Sequence, residues 1–268
     1  GLVKMDFLGL SNLTVIRDTL NNIEANGKER IDHTKIPLDD RPTYDLLSRG
    51  DTLGVFQLDS DGMRSLLKTL KPNNFNDISA LIALYRPGPM DMDSHTNYAK
   101  RKNGLQKITP IHPEVAEPLK EVLDETYGLI VYQEQVIEIF RRLAGYSLGQ
   151  ADMVRRAMSK KKLKDIQRER EAFLHGDPER NIAGCAANGI PQEIAESIYD
   201  EITDFANYAF NKAHAVCYAI VAYQTAWFKC HYPREYMAAL LTSVLDSQDK
   251  IAEYIAECRS LGIRLLPP

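Results

Sequence analysis

Apolar residues along this chain recur mainly at intervals of three and four, the spacing of an amphipathic helix, with two short runs that read instead as strand. The first run, Val3 to Leu10, mixes β-branched and aromatic residues. Ser11 then stands where a helix cap belongs, and Leu13, Ile16, Leu20 and Ile23 fall on one helical face. A polar, proline-containing passage from Asn26 to Thr43 leads to a short helix around Tyr44 to Leu47. The second strand-like run, Thr52 to Leu58, follows, and Asp61-Gly62 turns the chain toward another helix. Residues Ile78 to Tyr85 read as helix, and Arg86-Pro87-Gly88-Pro89 stops it, because proline lacks the amide hydrogen that would continue the ladder. This makes a rigid corner that carries an arginine.

From Tyr132 onward helix dominates. Val136, Ile139, Phe140 and Leu143 share a face, Gly145 sits where a left-handed C-terminal cap belongs, and Ser147-Leu148-Gly149-Gln150 has capping-box spacing. The helix opened there carries Ala151, Val154, Ala157 and Met158 on its apolar stripe, so Arg155 and Arg156 flank that stripe within reach of a partner. A further helix turns Ile194, Ile198, Ile202 and Phe205 inward. After His214 comes a nearly all-apolar helix to Trp227 and Phe228, which reads as buried on most sides. Pro233 restarts the chain, and Ile251, Ile255, Cys258 and Gly262 mark the last helix. The expected fold is mainly α with short β pieces, in one continuous helix-rich body.

Composition narrows the class. The 268 residues hold 33 Lys+Arg against 37 Asp+Glu, are 44% hydrophobic and 26% charged, and so describe a folded chain with a sizeable core rather than a disordered one. No apolar run approaches the ~18 residues of a membrane span, and no basic-then-apolar leader opens the chain, which reads as cytoplasmic. Cys185, Cys217, Cys230 and Cys258 form no C-x-x-C pair, and the six histidines form no zinc-binding spacing. The chain opens at Gly1 inside an apolar run and stops at Pro267-Pro268, which suggests a segment of a larger protein.

Three features carry candidate chemistry. Arg155, Arg156, Lys160, Lys161, Lys162 and Lys164 place six cations with no acid between them in a net-negative protein, an asymmetry that suits an anionic partner or a solvated basic face. Arginine pairs suit phosphate because the planar fork donates two parallel hydrogen bonds. If one helix continues to Lys162, that residue stands about 10 Å from Arg155 at ~1.5 Å per residue. Tyr208, Asn211, Lys212 and His214 gather at a helix start, where unpaired backbone N–H groups favour phosphate and a ring can stack on a base. The same residues also read as core aromatics and a cap. Asp91-Met92-Asp93 has the spacing of paired metal ligands on an extended segment, but reads more naturally as a cap or turn, and Asp6 is a candidate ligand on a strand.

Taken in order, several stretches together resemble the C-family, the bacterial replicative DNA polymerases. They are Lys4-Met5-Asp6-Phe7-Leu8-Gly9-Leu10, Gly54-Val55-Phe56-Gln57-Leu58-Asp59-Ser60, Tyr85-Arg86-Pro87-Gly88-Pro89 and Tyr132-Gln133-Glu134-Gln135. Leu143 to Gly149, Arg155 to Lys162 and Phe210-Asn211-Lys212-Ala213-His214 complete the set, which spans almost the whole chain. The resemblance implies that residues 1–10 are the end of a palm, with Asp6 as one of three catalytic carboxylates that bind two Mg2+ ions, and that 11–268 are helix-rich fingers. It further implies that Lys4, Arg155, Arg156, Tyr208, Lys212 and His214 meet the incoming nucleotide, with His214 excluding a ribose hydroxyl. Arg86, Lys160, Lys161, Lys162 and Lys164 then fall to nucleic-acid contact.

The implied partners are primer-template DNA and dNTP, with the sliding clamp and other replicase subunits in the full protein. Ser159, Ala213 and Asp59 depart mildly from the family pattern. The palm Asp-x-Asp, thumb and other domains of the family have no counterpart here, so the segment alone is not expected to polymerise. A non-catalytic nucleic-acid-binding helical module is the alternative.

Overall fold

The computed structural model describes Met5, residues 9–159 and residues 163–266, without the side chains of 159 and 163–165. Fourteen α-helices are found among the described residues: α1 (Ser11–Ala25), α2 (Arg41–Arg49), α3 (Asp61–Leu70), α4 (Phe75–Leu84), α5 (Pro87–Asp91), α6 (Ser94–Lys102) and α7 (Ala116–Leu123). Then follow α8 (Gln133–Ala144), α9 (Leu148–Ser159), α10 (Leu163–His175), α11 (Gln192–Ala206), α12 (Lys212–His231), α13 (Pro233–Ser243) and α14 (Gln248–Ser260). Extended pairing among them is limited to two isolated bridges, Tyr132 with Phe210 and Asp177 with Ile182. The mainly α expectation stands. No helix is long and apolar enough to cross a membrane among the described residues.

The strand expected at Thr52 to Leu58 is instead a knot of turns. Val55 N–H donates to Thr52 O at 2.9 Å and Leu58 N–H to Val55 O at 3.1 Å, while Gly54 and Gln57 both take positive φ. A short apolar run is compatible with any buried backbone, and here the turns bury Val55 and Leu58 completely. Ser11 is the first residue of α1 rather than its cap: Leu10 is the N-cap, and no side chain caps it. The buried face of α1 is Val15, Ile16, Thr19 and Ile23, so the stripe is rotated from the expected one and Leu13 is half exposed.

The described residues form two compact units rather than one body. The first takes the chain up to Ile78 together with the chain from Cys217 onward. In it α1 packs along α13, α2 against α3, and α13 against α14. The turns around Gly54 are fastened by Tyr236, whose hydroxyl donates to Gly54 O at 2.7 Å, and by Thr225 Oγ1, which accepts from Phe56 N–H at 3.1 Å. The fully buried ammonium of Lys229 donates to Asp51 O and Leu53 O, each at 2.8 Å, and to Glu257 at 2.7 Å.

The second unit runs from Ser79 to Val216. Its core centres on Phe140 of α8, which meets Phe173 of α10 at 5.0 Å, Tyr146 at 5.3 Å and Tyr199 of α11 at 6.0 Å, all edge to face. The apolar face expected for α8 is fully buried there, and Gly145 closes the helix at φ +74° with its N–H on Arg141 O. Ser147 and Gln150 exchange reciprocal hydrogen bonds at 2.8 and 3.3 Å, so the expected capping box opens α9. The four cysteines are free thiols, with Cys185 and Cys258 buried.

Candidate nucleotide-binding site

Within the second unit, four stretches that lie far apart in sequence converge on one open cleft of about 560 Å3. It is lined by Arg86, Gln133, Arg155, Asn207, Ala209, Phe210, Asn211 and His214. A seam between two loops builds its floor. Phe210 N–H donates to Val131 O at 3.0 Å, Gln133 N–H donates to Phe210 O at 2.9 Å, and the Gln133 side chain donates to Ala209 O at 3.2 Å. Gln135, buried in the first turn of α8, holds its side of the seam by accepting from Val131 N–H and Tyr132 N–H at 2.8 and 2.9 Å. Its amide donates to Val122 O and Thr126 Oγ1, so both ends of the side chain are satisfied.

The start of α12 forms the next wall. Asn211 caps it by accepting from His214 N–H at 2.8 Å, and Glu134 reaches across from α8 to accept from Lys212 N–H and from the Asn211 amide, each at 2.9 Å. Two of the backbone donors expected to be open for phosphate are therefore already engaged by protein, and a carboxylate already answers the positive end of the helix dipole. The Lys212 ammonium is likewise held by Glu125, at 2.7 and 2.8 Å, and lies 5.5 Å from the Tyr132 ring centre. His214 is exposed and meets Phe210 edge to face at 5.4 Å.

Arg155 enters the cleft from α9. Its side chain is only 15% exposed, and Asp152 accepts from its Nε and Nη2 at 3.0 and 2.8 Å. The same carboxylate accepts Arg156 Nε at 2.8 Å, while Arg156 itself is 66% exposed. The Arg155 hydrogen bond and the charges of both arginines hold the Asp152 carboxyl below its ordinary range. Arg86 is partly buried, and desolvation pulls its guanidinium downward. It donates to Ala83 O at 2.8 Å and to Tyr208 O, and lies 4.7 Å from the Phe210 ring centre. Tyr208 itself is 41% exposed, between Asn207 and Ala209 of the cleft wall.

Of the residues singled out in the sequence, Arg86, Arg155, Asn211 and His214 line this cleft, Tyr208, Lys212 and Arg156 are sequence neighbours of its lining residues, and Arg156 is not itself among them. Lys4, Asp6, Lys160, Lys161 and Lys162 lie outside the described residues, as does the Lys164 side chain. Because α9 is described to Ser159 and α10 from Leu163, the spacing expected from an unbroken helix to Lys162 also falls outside them. Sequence reasoning missed Gln133, Asn207 and Phe210 as cleft lining, and Glu125, Glu134 and Asp152 as partners of its cations. Only Asp152, three and four residues before Arg155 and Arg156, left a readable signal.

Asp91 and Asp93 do not share a face of an extended strand. Asp91 ends α5, and Asp93, itself at φ +54°, occupies the N-cap position of α6. Among the described residues no group of three His, Cys, Asp or Glu side chains is placed to hold a metal ion.

The profile of the bacterial DNA polymerase III alpha subunit finger domain matches residues 12–181. The chain belongs to that family. Relatives named DNA polymerase III subunit alpha match it along its whole length, at 54% identity in Mycobacterium tuberculosis strain H37Rv and 46% in both Thermus aquaticus and Escherichia coli K12. The chain covers 22%, 21% and 23% of those proteins, about a fifth of their length. The matched finger region contains Arg86, Gln133 and Arg155, whereas Asn207 to His214 lie beyond its end at residue 181. The cleft is thus built partly from the matched finger region and partly from chain that follows it.

Proposed function

We propose that this segment receives the incoming dNTP in the alpha subunit of a bacterial replicative DNA polymerase. That subunit adds nucleotides to a primer 3'-hydroxyl under the direction of a template. Residues 1–10 form the end of the palm and 11–268 the fingers. The observation that carries the reading is the convergence of Arg86, Gln133, Arg155 and the stretch Asn207 to His214 on one open cleft, with guanidinium, imidazole and aromatic faces side by side.

The chemistry asked of these side chains is electrostatic and positional. The primer hydroxyl attacks the alpha phosphorus in line, pyrophosphate leaves, and negative charge grows on the phosphate oxygens. Arg155, held by Asp152 through Nε and Nη2, brings the positive charge of a fixed guanidinium to that site, and Arg156 adds a second cation from the same turn. Lys212 joins them only by exchanging Glu125 for phosphate. Tyr208 meets the base, and His214, fixed at the capped start of α12, stands at the sugar. Lys4 touches the triphosphate, and Lys160, Lys161, Lys162 and Lys164 belong to the nucleic-acid side.

Two Mg2+ ions, bound by Asp6 and by carboxylates elsewhere in the full subunit, would supply Lewis-acid stabilisation. The likeness of Lys4 to Leu10 to the family's carboxylate-bearing strand supports this role for Asp6. Primer-template DNA, dNTP, the sliding clamp and other replicase subunits are the proposed partners.

Steady-state primer extension by the full-length subunit tests the reading. Arg155→Ala is expected to lower kcat/KM for dNTP by about 10²-fold, the usual cost of one preorganised donor. An unchanged value, together with DNA binding that weakens steeply with salt and ignores dNTP, would favour a non-catalytic nucleic-acid-binding module.

A further inference from the structure

The Arg-Pro-Gly-Pro corner has a steric relation to Tyr208 that the nucleotide-binding reading does not use. Gly88 lies in the first turn of α5, beneath the Tyr208 ring. A Cβ on Gly88 would stand 2.0 Å from Cδ1, 2.5 Å from Cε1 and 2.8 Å from Cγ of that ring. Carbon atoms in contact sit at roughly 3.5–4.0 Å, so any larger residue here would overlap the ring. Because the overlap includes Cγ, the root of the ring, swinging its far end aside does not relieve it. The backbone under Gly88 has little room to yield, since Pro87 and Pro89 fix φ on both sides of it.

The same corner grips Tyr208 from its main chain. Arg86 donates through Nη2 to Tyr208 O, anchors Nε on Ala83 O at 2.8 Å, and lays its guanidinium 4.7 Å from the Phe210 ring centre. These contacts occupy Nε and Nη2 with carbonyl groups of the protein. The ring of Tyr208 therefore rests on Gly88, which offers no side chain, while its carbonyl is tied to Arg86 two positions earlier. Asn207 and Ala209, its neighbours in sequence, both line the cleft.

Resting on the reading of the cleft as the nucleotide site, we propose that Gly88 and Arg86 are positioning residues that set the height of the Tyr208 ring beside the cleft. They would thereby set how closely the base of an incoming dNTP packs there. Neither residue is required to touch the nucleotide. Arg86, assigned to nucleic-acid contact on sequence grounds, takes this role instead.

A double-mutant cycle in the full-length alpha subunit separates this role from general damage to the fold. Primer extension at varied dNTP is measured for Gly88→Ala, Tyr208→Ala, the double variant and Arg155→Ala. Gly88→Ala is expected to raise KM for dNTP by at least about tenfold, since displacements near 1 Å in a positioned site have effects up to about 10²-fold. In the Tyr208→Ala background, where no ring remains to be displaced, the same substitution is expected to change KM less than about twofold.

An unchanged KM in Gly88→Ala, or an equal rise with and without the Tyr208 ring, would overturn the inference. If Arg155→Ala meanwhile lowers kcat/KM, the nucleotide-site reading survives that failure; if Arg155→Ala changes nothing, both fall. Should Gly88→Ala fail to fold, Arg86→Gln carries the same cycle. It releases the Tyr208 carbonyl without adding a Cβ, and its KM effect must also vanish in the Tyr208→Ala background.

Discussion

Asp152 sets the two arginines of α9 in place, and its own titration offers a way to measure how strongly. Its folded value is depressed, so the stabilisation is complete above the unfolded carboxylate value of roughly 4 and is lost as pH falls through the lower folded value. Asp152→Asn is expected to lower stability in urea at pH 7 by about 1 kcal/mol, the scale of a partly exposed ion pair. The difference from the wild type should narrow as pH falls below roughly 4 and close once the pH is below the lower folded value. A gap that persists there would detach the effect from the carboxylate charge. Lys229 presents the opposite balance, because burial pulls its ammonium downward while Glu257 and two carbonyl oxygens hold it. Lys229→Met leaves those acceptors without their donor and is expected to cost about 3 kcal/mol in denaturant unfolding. A loss under 1 kcal/mol, read on the same ~3 kcal/mol scale, would mean that the turns at Asp51 to Leu58 hold without it.

Elements were legible where helical periodicity and cap chemistry agreed. The buried face of α8, the left-handed Gly145 and the Ser147 to Gln150 box all follow from local spacing, since each depends on residues within one or two turns. The Thr52 to Leu58 run was illegible because its turns are fixed by Thr225 and Tyr236, which follow it by about 170 and 180 residues in the chain. The cleft divides in the same way. Arg155 announces itself in a charge run and Arg86 in a proline-bracketed corner, whereas Glu134 and Glu125 meet Lys212 across 78 and 87 residues of sequence, a pairing that no local spacing encodes. At this scale the α12 start is the element to perturb. Asn211→Ala removes its cap and is expected to cost about 1 kcal/mol and to speed amide hydrogen exchange in the first turn of α12. Exchange at the wild-type rate there would show that Glu134 alone holds the turn.

At the scale of the molecule, two compact units share one chain, and the convergence that suggests function belongs wholly to the second. The stretch around Gly54 to Ser60, which contributes equally to the family resemblance, serves the first unit's packing through Tyr236 and Thr225 instead. The central claim is that the cleft of the second unit is where a dNTP binds, and photoaffinity labelling of the full-length alpha subunit with 8-azido-dATP tests it most directly. With primer-template DNA present, the label is expected on the peptide containing Tyr208 to His214 and to be competed by unmodified dATP. Label that is competed by dATP yet falls only on other peptides would contradict the account.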